Sequence, residues 1–150
     1  LLGNGSVDAV FTHPPYWNII EYRGGGCSPG DLSCAGSLEE YLELMAGVAR
    51  EAYRVLKPGG YAAVLIGDTR IHRHYVPISH RVLDVFLDAG FVLKEEVVKV
   101  QHRMKTTREV WQKLKDRDFL LIYHEKLFVF RKPETGENLN NVKYSIKHRR

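Results

Sequence analysis

The sequence predicts an α/β domain with a mostly parallel sheet that ends in an antiparallel hairpin. Three observations carry this expectation. Residues 7–11 and 61–66 are short apolar runs of strand length; residues 38–56 and 78–89 carry apolar side chains at helical spacing; and a strand-like stretch at 91–101 is followed by the apolar run 127–130. Strands that alternate with helical segments favour parallel pairing, because a parallel connection needs a crossover long enough to hold a helix.

The first strand, Val7-Asp8-Ala9-Val10-Phe11, stops at Thr12-His13-Pro14-Pro15-Tyr16-Trp17. Residues 18–36 contain Gly24-Gly25-Gly26, Pro29, Gly30 and Gly36, which is too many breakers for a regular element, and a mobile loop is expected there. Ser37-Leu38-Glu39-Glu40 then forms a capping box, followed by apolar residues at 38, 41, 42, 45, 48, 49, 52, 55 and 56. Lys57-Pro58-Gly59-Gly60 ends that helix in a tight turn. Residues 61–66 are wholly apolar, as a strand covered on both faces should be. Gly67-Asp68-Thr69 closes it, and 70–76 is polar and basic. Pro77 opens a second helix, with apolar positions 78, 82, 85, 86 and 89 and a stop at Gly90. The charged middle of 91–101, Lys94-Glu95-Glu96, suits a sheet edge, and 127–130 reads as an inner strand. Residues 102–118 are expected to be a loop or short helix, and the tail after Pro133 is expected to be loosely held.

With 150 residues and 44% hydrophobic content, the chain is one globular domain or part of a larger one. Its formal charge of +4 permits a polyanionic partner without demanding one. No apolar run approaches the roughly 18 residues of a membrane span, and the N-terminus lacks a signal-peptide pattern, so a soluble, cytoplasmic protein is expected. Cys27 and Cys34 stand without a second pair and read as free thiols, and no metal site is expected, His72-x-His74 having no arranged third ligand. The chain opens on Leu1-Leu2 a few residues before its first strand, which reads as a fragment.

Thr12 to Trp17 carries the chemistry. The two prolines fix an extended path at the end of a strand and leave carbonyls that no local N–H can pair. A polar acceptor, rigid carbonyls and an aromatic face together suit a flat heterocycle with an exocyclic amino group. The plainer alternative for Pro14-Pro15-Tyr16-Trp17 is a rigid loop that ends a strand, or a ligand for a proline-binding domain.

At these residues the chain resembles the N4-cytosine and N6-adenine amino-methyltransferases of DNA. Their signature is Asp, Asn or Ser followed by Pro-Pro and an aromatic, and here it stands as His13-Pro14-Pro15-Tyr16, with histidine at the first position. Ser6-Val7-Asp8, Leu56-Lys57-Pro58-Gly59-Gly60-Tyr61 and His124-Glu125-Lys126-Leu127-Phe128-Val129-Phe130-Arg131-Lys132 resemble the family in the same order. The resemblance covers about residues 1–133. It implies a partial Rossmann-like class I methyltransferase fold, with 1–133 as its second, catalytic-motif half and 134–150 as a polar tail. It also implies S-adenosylmethionine as cofactor and DNA as partner. The family's glycine-rich cofactor turn does not occur in the sequence, so a missing N-terminal half or a partner subunit is expected to supply it.

The resemblance places the catalytic role on His13, Pro14, Pro15 and Tyr16. The side chain of His13 and the carbonyl of Pro14 would accept the amino hydrogens, and Tyr16 would stack on the flipped base. Thr12 and Asp68, at the C-terminal ends of two strands, are candidates for the cofactor pocket. Residues 99–117 hold seven basic side chains against two acidic ones. With Trp17, Arg70 and Arg73, this segment's Arg103, Lys105 and Arg108 are the candidate nucleic-acid contacts. Two further readings are an RNA amino-methyltransferase and a noncatalytic nucleic-acid-binding subunit with the same fold.

Overall fold

The computed structural model describes residues 1–17, 26, 28–102 and 112–147. Its elements run β1 (Val7–Thr12), α1 (Leu38–Val55), β2 (Leu56–Gly67), β3 (Thr69–Ile71), β4 (His74–Val76), α2 (Ile78–Asp88), β5 (Val92–Val100) and β6 (His124–Arg131), with short 3-10 turns at Leu32–Cys34 and Leu139–Val142.

β1, β2, β6 and β5 form one sheet in that spatial order. β1 pairs parallel with β2, while β6 runs antiparallel between β2 and β5. The sheet is therefore mixed, but β1, β2 and β5 share one direction, and β5–β6 is the expected antiparallel pair. The consequence is geometric: the C-terminal ends of β1, β2 and β5 and the N-terminal end of β6 meet at one edge of the sheet.

The capping box holds. Glu40 N–H donates to Ser37 Oγ, and the Glu40 carboxylate reaches back to the Gly36 N–H. The long apolar stripe of α1 buries Tyr41, Met45, Ala49 and Ala52. α2 buries Ile78, Val82 and Phe86 and ends at Gly90, whose φ of +103° only glycine adopts readily. Both helices cover the sheet face that carries Ala62, Val64, Ile66, Phe128 and Phe130, and the core lies in that layer.

Several expectations change. The helix ends at Val55 and β2 begins at once at Leu56, so Lys57-Pro58-Gly59-Gly60 is an irregularity inside the strand. There the pairing jumps from Val7↔Leu56 to Ala9↔Tyr61, and Gly59, at φ +78°, takes the turn. The basic segment 70–76 is a β-hairpin, closed by His72 and Arg73 in the left-handed region. The tail is tied down rather than loose: the Leu93 N–H donates to the Ser145 carbonyl, Lys147 pairs with Asp88, and Arg131 takes both oxygens of Glu137. Residues 61–66 are closed on one face only, since no helix among the described residues covers the other. Cys34 is disulfide-bonded, against the free-thiol expectation. Cys27 and residues 18–25 of the expected mobile loop lie outside the described residues, as do residues 103–111. No helix among the described residues is long and apolar enough to cross a membrane.

Candidate active site

The Pro-Pro motif follows directly from the C-terminal end of β1 and is fastened from below. The Tyr41 hydroxyl, at the first turn of α1, donates to the Pro15 carbonyl at 2.7 Å, and burial pushes that phenol's pKa up, so it remains a donor. Trp17 is 9% exposed, and its indole N–H donates to the Ala35 carbonyl at 3.1 Å. Trp17 also holds φ at +52°, an uncommon conformation for a bulky residue. These ties hold the Trp17 indole behind the motif and away from the surface, where a nucleic-acid contact would have to stand. Pro14 is buried, Tyr16 half-buried and His13 exposed.

Tyr16 packs against the backbone of β2 at Gly67. A Cβ built on Gly67 would stand 2.6 Å from the Tyr16 ring, so the glycine is what lets the ring approach. Its hydroxyl donates to Glu125 Oε1 at 2.5 Å, and His13 Nε2 stands 2.5 Å from the same hydroxyl. The two rings are 5.4 Å apart, tilted by 51°. Glu125 is the second residue of β6, directly opposite Gly67 on one side and Lys99 on the other. Its side chain is 8% exposed. Lys99 Nζ reaches the second carboxylate oxygen at 2.7 Å. Burial raises the pKa of this carboxyl, but hydrogen bonds from Lys99, Tyr16 and Gln101 outweigh it and hold the pKa below the ordinary carboxylate value. Glu125 is thus an ionised, acceptor-only group at the base of the motif.

Glu125, Lys99, Gln101 and Gly67 escape a reading of the sequence alone. A carboxylate in an inner strand is the available signal, since such a group needs a partner. Lys99, assigned by sequence to a nucleic-acid surface, faces Glu125 instead, because antiparallel pairing brings the two side by side.

Asp68 serves the fold. Its carboxylate accepts from the Ser79 N–H at 2.7 Å, the Ser79 hydroxyl at 2.8 Å and the Tyr75 hydroxyl, joining β2 to α2 and to the β3–β4 hairpin. Pro77, at the N-cap of α2, has no side-chain donor or acceptor, and Asp68 supplies the cap from outside. Thr12 lines an open apolar cleft of about 810 Å³ with Val10, Phe11, Val48 and Val64, along the free edge of β1.

Arg70 also works internally. Its guanidinium donates to the carbonyls of Arg73 and Leu120 and lies 4.5 Å over the Phe119 ring. Arg73, on the hairpin tip, pairs with Asp118 at 3.0 Å and is nearly half exposed. The structure therefore keeps Arg73 at the surface and withdraws Arg70 from it. Arg103, Lys105 and Arg108 lie outside the described residues, while Lys113, Lys115 and Arg117 are exposed. Among the described residues no group of three or more His, Cys, Asp or Glu side chains is placed to hold a metal ion.

Known proteins share both the sequence pattern and the architecture. A segment of 72 residues is 32% identical to the type II methyltransferase M.SfiI of Streptomyces fimbriatus, covering 48% of this chain and 16% of that one. In three dimensions the chain is similar to the cytosine-N4-specific PvuII DNA methyltransferase, with a TM-score of 0.67 and 22% identity over 98% of this chain and 50% of that one. It is also similar to TTHA0409 of Thermus thermophilus, solved in complex with S-adenosyl-L-methionine, with a TM-score of 0.63 and 23% identity over 91% and 52% of the two chains. This chain spans about half the length of those solved structures. The DNA methylase family profile matches residues 7–150, and the chain belongs to the N6/N4 DNA methylase family.

Proposed function

We propose that this chain is the target-amino half of a site-specific DNA methyltransferase that uses S-adenosylmethionine and methylates cytosine N4 or adenine N6. The carrying observation is the His13–Tyr16 motif at the C-terminal end of a strand, pinned by Tyr41 and Trp17 and backed by buried Glu125. Open α/β sheets bind ligands at that edge.

An exocyclic amino nitrogen is a poor nucleophile, because its lone pair is delocalised into the ring. Acceptors for its two hydrogens draw it toward tetrahedral geometry and aim the lone pair. The ring of His13 is one acceptor and the Pro14 carbonyl the other, while the Tyr16 face gives the base a stacking surface worth about 1–3 kcal/mol. When bound, the cofactor supplies the electrophilic methyl group. The described residues supply only an apolar wall for it: Asp68 is committed to the fold, and Thr12 stands in the apolar cleft. The remaining contacts come from a further half, on the same polypeptide or a partner subunit, that pairs with the open edge of β1. Arg73 and the exposed basic residues after it face the DNA backbone. With DNA as substrate, the compartment is the cytoplasm.

The test is single-turnover methylation by the complete protein from about pH 5.5 to about 8.5, the range in which a histidine changes charge. His13→Ala is expected to lose about a hundredfold or more in rate with cofactor binding intact, as loss of one oriented hydrogen-bonding group does elsewhere. His13→Asn, whose amide oxygen still offers an acceptor, should keep measurable turnover. A His13→Ala variant that matches the parent at every pH would overturn the assignment.

A further inference from the structure

We infer that Glu125, acting through Tyr16, sets the tautomer of His13 so that Nδ1 is the lone-pair nitrogen offered to the amino group of the base. The inference rests on the reading of His13 as amino acceptor and adds a positioning residue that is distant in sequence. It follows from counting protons along a chain of contacts. The carboxylate of Glu125 receives Lys99 Nζ at 2.7 Å on one oxygen and the Tyr16 hydroxyl at 2.5 Å on the other. An ionised carboxylate only accepts, so the single hydroxyl proton of Tyr16 must point at Glu125. The Tyr16 oxygen then has lone pairs alone to present to His13, whose Nε2 stands 2.5 Å away. Two lone pairs do not bond, so Nε2 must carry the proton. In neutral imidazole this leaves Nδ1 as the acceptor.

Each link is held in place. Gly67 fixes the height of the Tyr16 ring above β2, and strand pairing fixes Glu125 between Gly67 and Lys99. The groups that face Glu125 are Lys99, Tyr16 and Gln101, all of them able to donate to it. A neutral residue at 125 would break the order: an amide can donate to Tyr16 as well as accept from it, and the hydroxyl proton would then be free to turn toward His13. The histidine in the first motif position thus has its directionality supplied from the opposite end of the sequence, 109 residues after Tyr16.

The tautomer is read directly from long-range 1H–15N correlation of the histidine side chains at a pH where His13 is neutral. In the parent, His13 should be protonated at Nε2 alone. Tyr16→Phe keeps the ring on Gly67 but removes the hydroxyl, and Glu125→Gln keeps shape but removes the obligate acceptor. In both, the Nδ1–H form should rise severalfold, and methylation by the complete protein should fall on the order of tenfold or more in kcat with KM little changed, as when an orienting partner is lost. A parent protonated at Nδ1, or tautomer populations in both variants equal to the parent's, would overturn the inference. If Glu125→Gln does not fold, Tyr16→Phe alone decides. His13→Ala methylating like the parent would overturn the acceptor role whatever the tautomer, so failure of the relay and failure of the site are separate results.

Discussion

The two faces of the sheet are made from the same strands and meet different fates. On the helix side, Val64, Ile66, Phe128 and Phe130 are fully buried beneath Tyr41, Met45, Val82 and Phe86. On the other side, Phe11 is 69% exposed, Val97 48% and Tyr61 42%, while Ala63, Leu65, Leu127 and Val129 are half-buried. Alternation along a strand puts residues 63 and 65 on one side and 64 and 66 on the other, and all four are apolar. The second face therefore has the composition of a buried surface without the cover. Glu125 and Lys99 stand at one end of this face, and Arg131, paired to Glu137 of the tail, at the other. A parallel α/β sheet is ordinarily sheltered on both sides, whereas among the described residues this face and the outer edge of β1 have no cover.

Substitutions that treat the faces unequally break or sharpen this contrast. Phe130 stacks on Phe86 at 4.9 Å in the closed layer, so Phe130→Ala should cost about 3–5 kcal/mol in urea unfolding. A cost under about 1 kcal/mol would mean that this layer is not the core. Gly67→Ala places a methyl group inside the Tyr16 ring and should cost about 1–3 kcal/mol while displacing the motif, visible as altered His13 and Tyr16 NMR shifts; unchanged shifts would refute the close approach.

Acid tests the tie at the open face. Hydrogen bonds from the Arg131 guanidinium and the Glu134 N–H lower the Glu137 pKa from 4.5 to about 2. A depressed folded value contributes stability that is complete above the unfolded value and lost as pH falls through the folded one. The urea midpoints of parent and Glu137→Gln should therefore differ above about pH 5 and converge between 4.5 and about 2. A constant gap would mean the pair does not form. The smallest effect belongs to Phe11→Ser, which should change the urea-unfolding free energy by no more than about 0.5 kcal/mol, the side chain being 69% exposed. A large loss of stability there would show that the second face is already closed.

Both helices and the four sheet strands were legible because their signals are local: Ser37 and Glu40 frame one helix start, Pro77 and Gly90 bracket the other, and 127–130 is apolar as an inner strand should be. The β3–β4 hairpin was not, since its turn is made by His72 and Arg73, residues that do not advertise the left-handed region. Of the site, the Pro-Pro motif was legible and its support was not. Tyr16 meets Glu125 only after β6 has inserted between β2 and β5, and no spacing within one segment encodes that meeting. In the sequence Trp17 and Arg70 look like nucleic-acid contacts, because aromatic and basic side chains serve both surfaces and interiors. Only packing distinguishes the indole bound to Ala35 or the guanidinium laid on Phe119.

Lys132 gives the end of α1 a history. Its ammonium donates to the carbonyls of Tyr53 and Leu56 and sits 4.6 Å over the Tyr53 ring, so one cation satisfies two carbonyls at a helix terminus that the helix itself leaves unpaired. The donor lies 76 residues downstream of Leu56. On a ribosome adding about 5–20 residues per second, the helix is complete about 4–15 s before its cap is synthesised. During that interval the last turn of α1 stays frayed, and a nascent chain stalled just before residue 132 should show it as the readily exchanging or cleaved end of an otherwise formed helix.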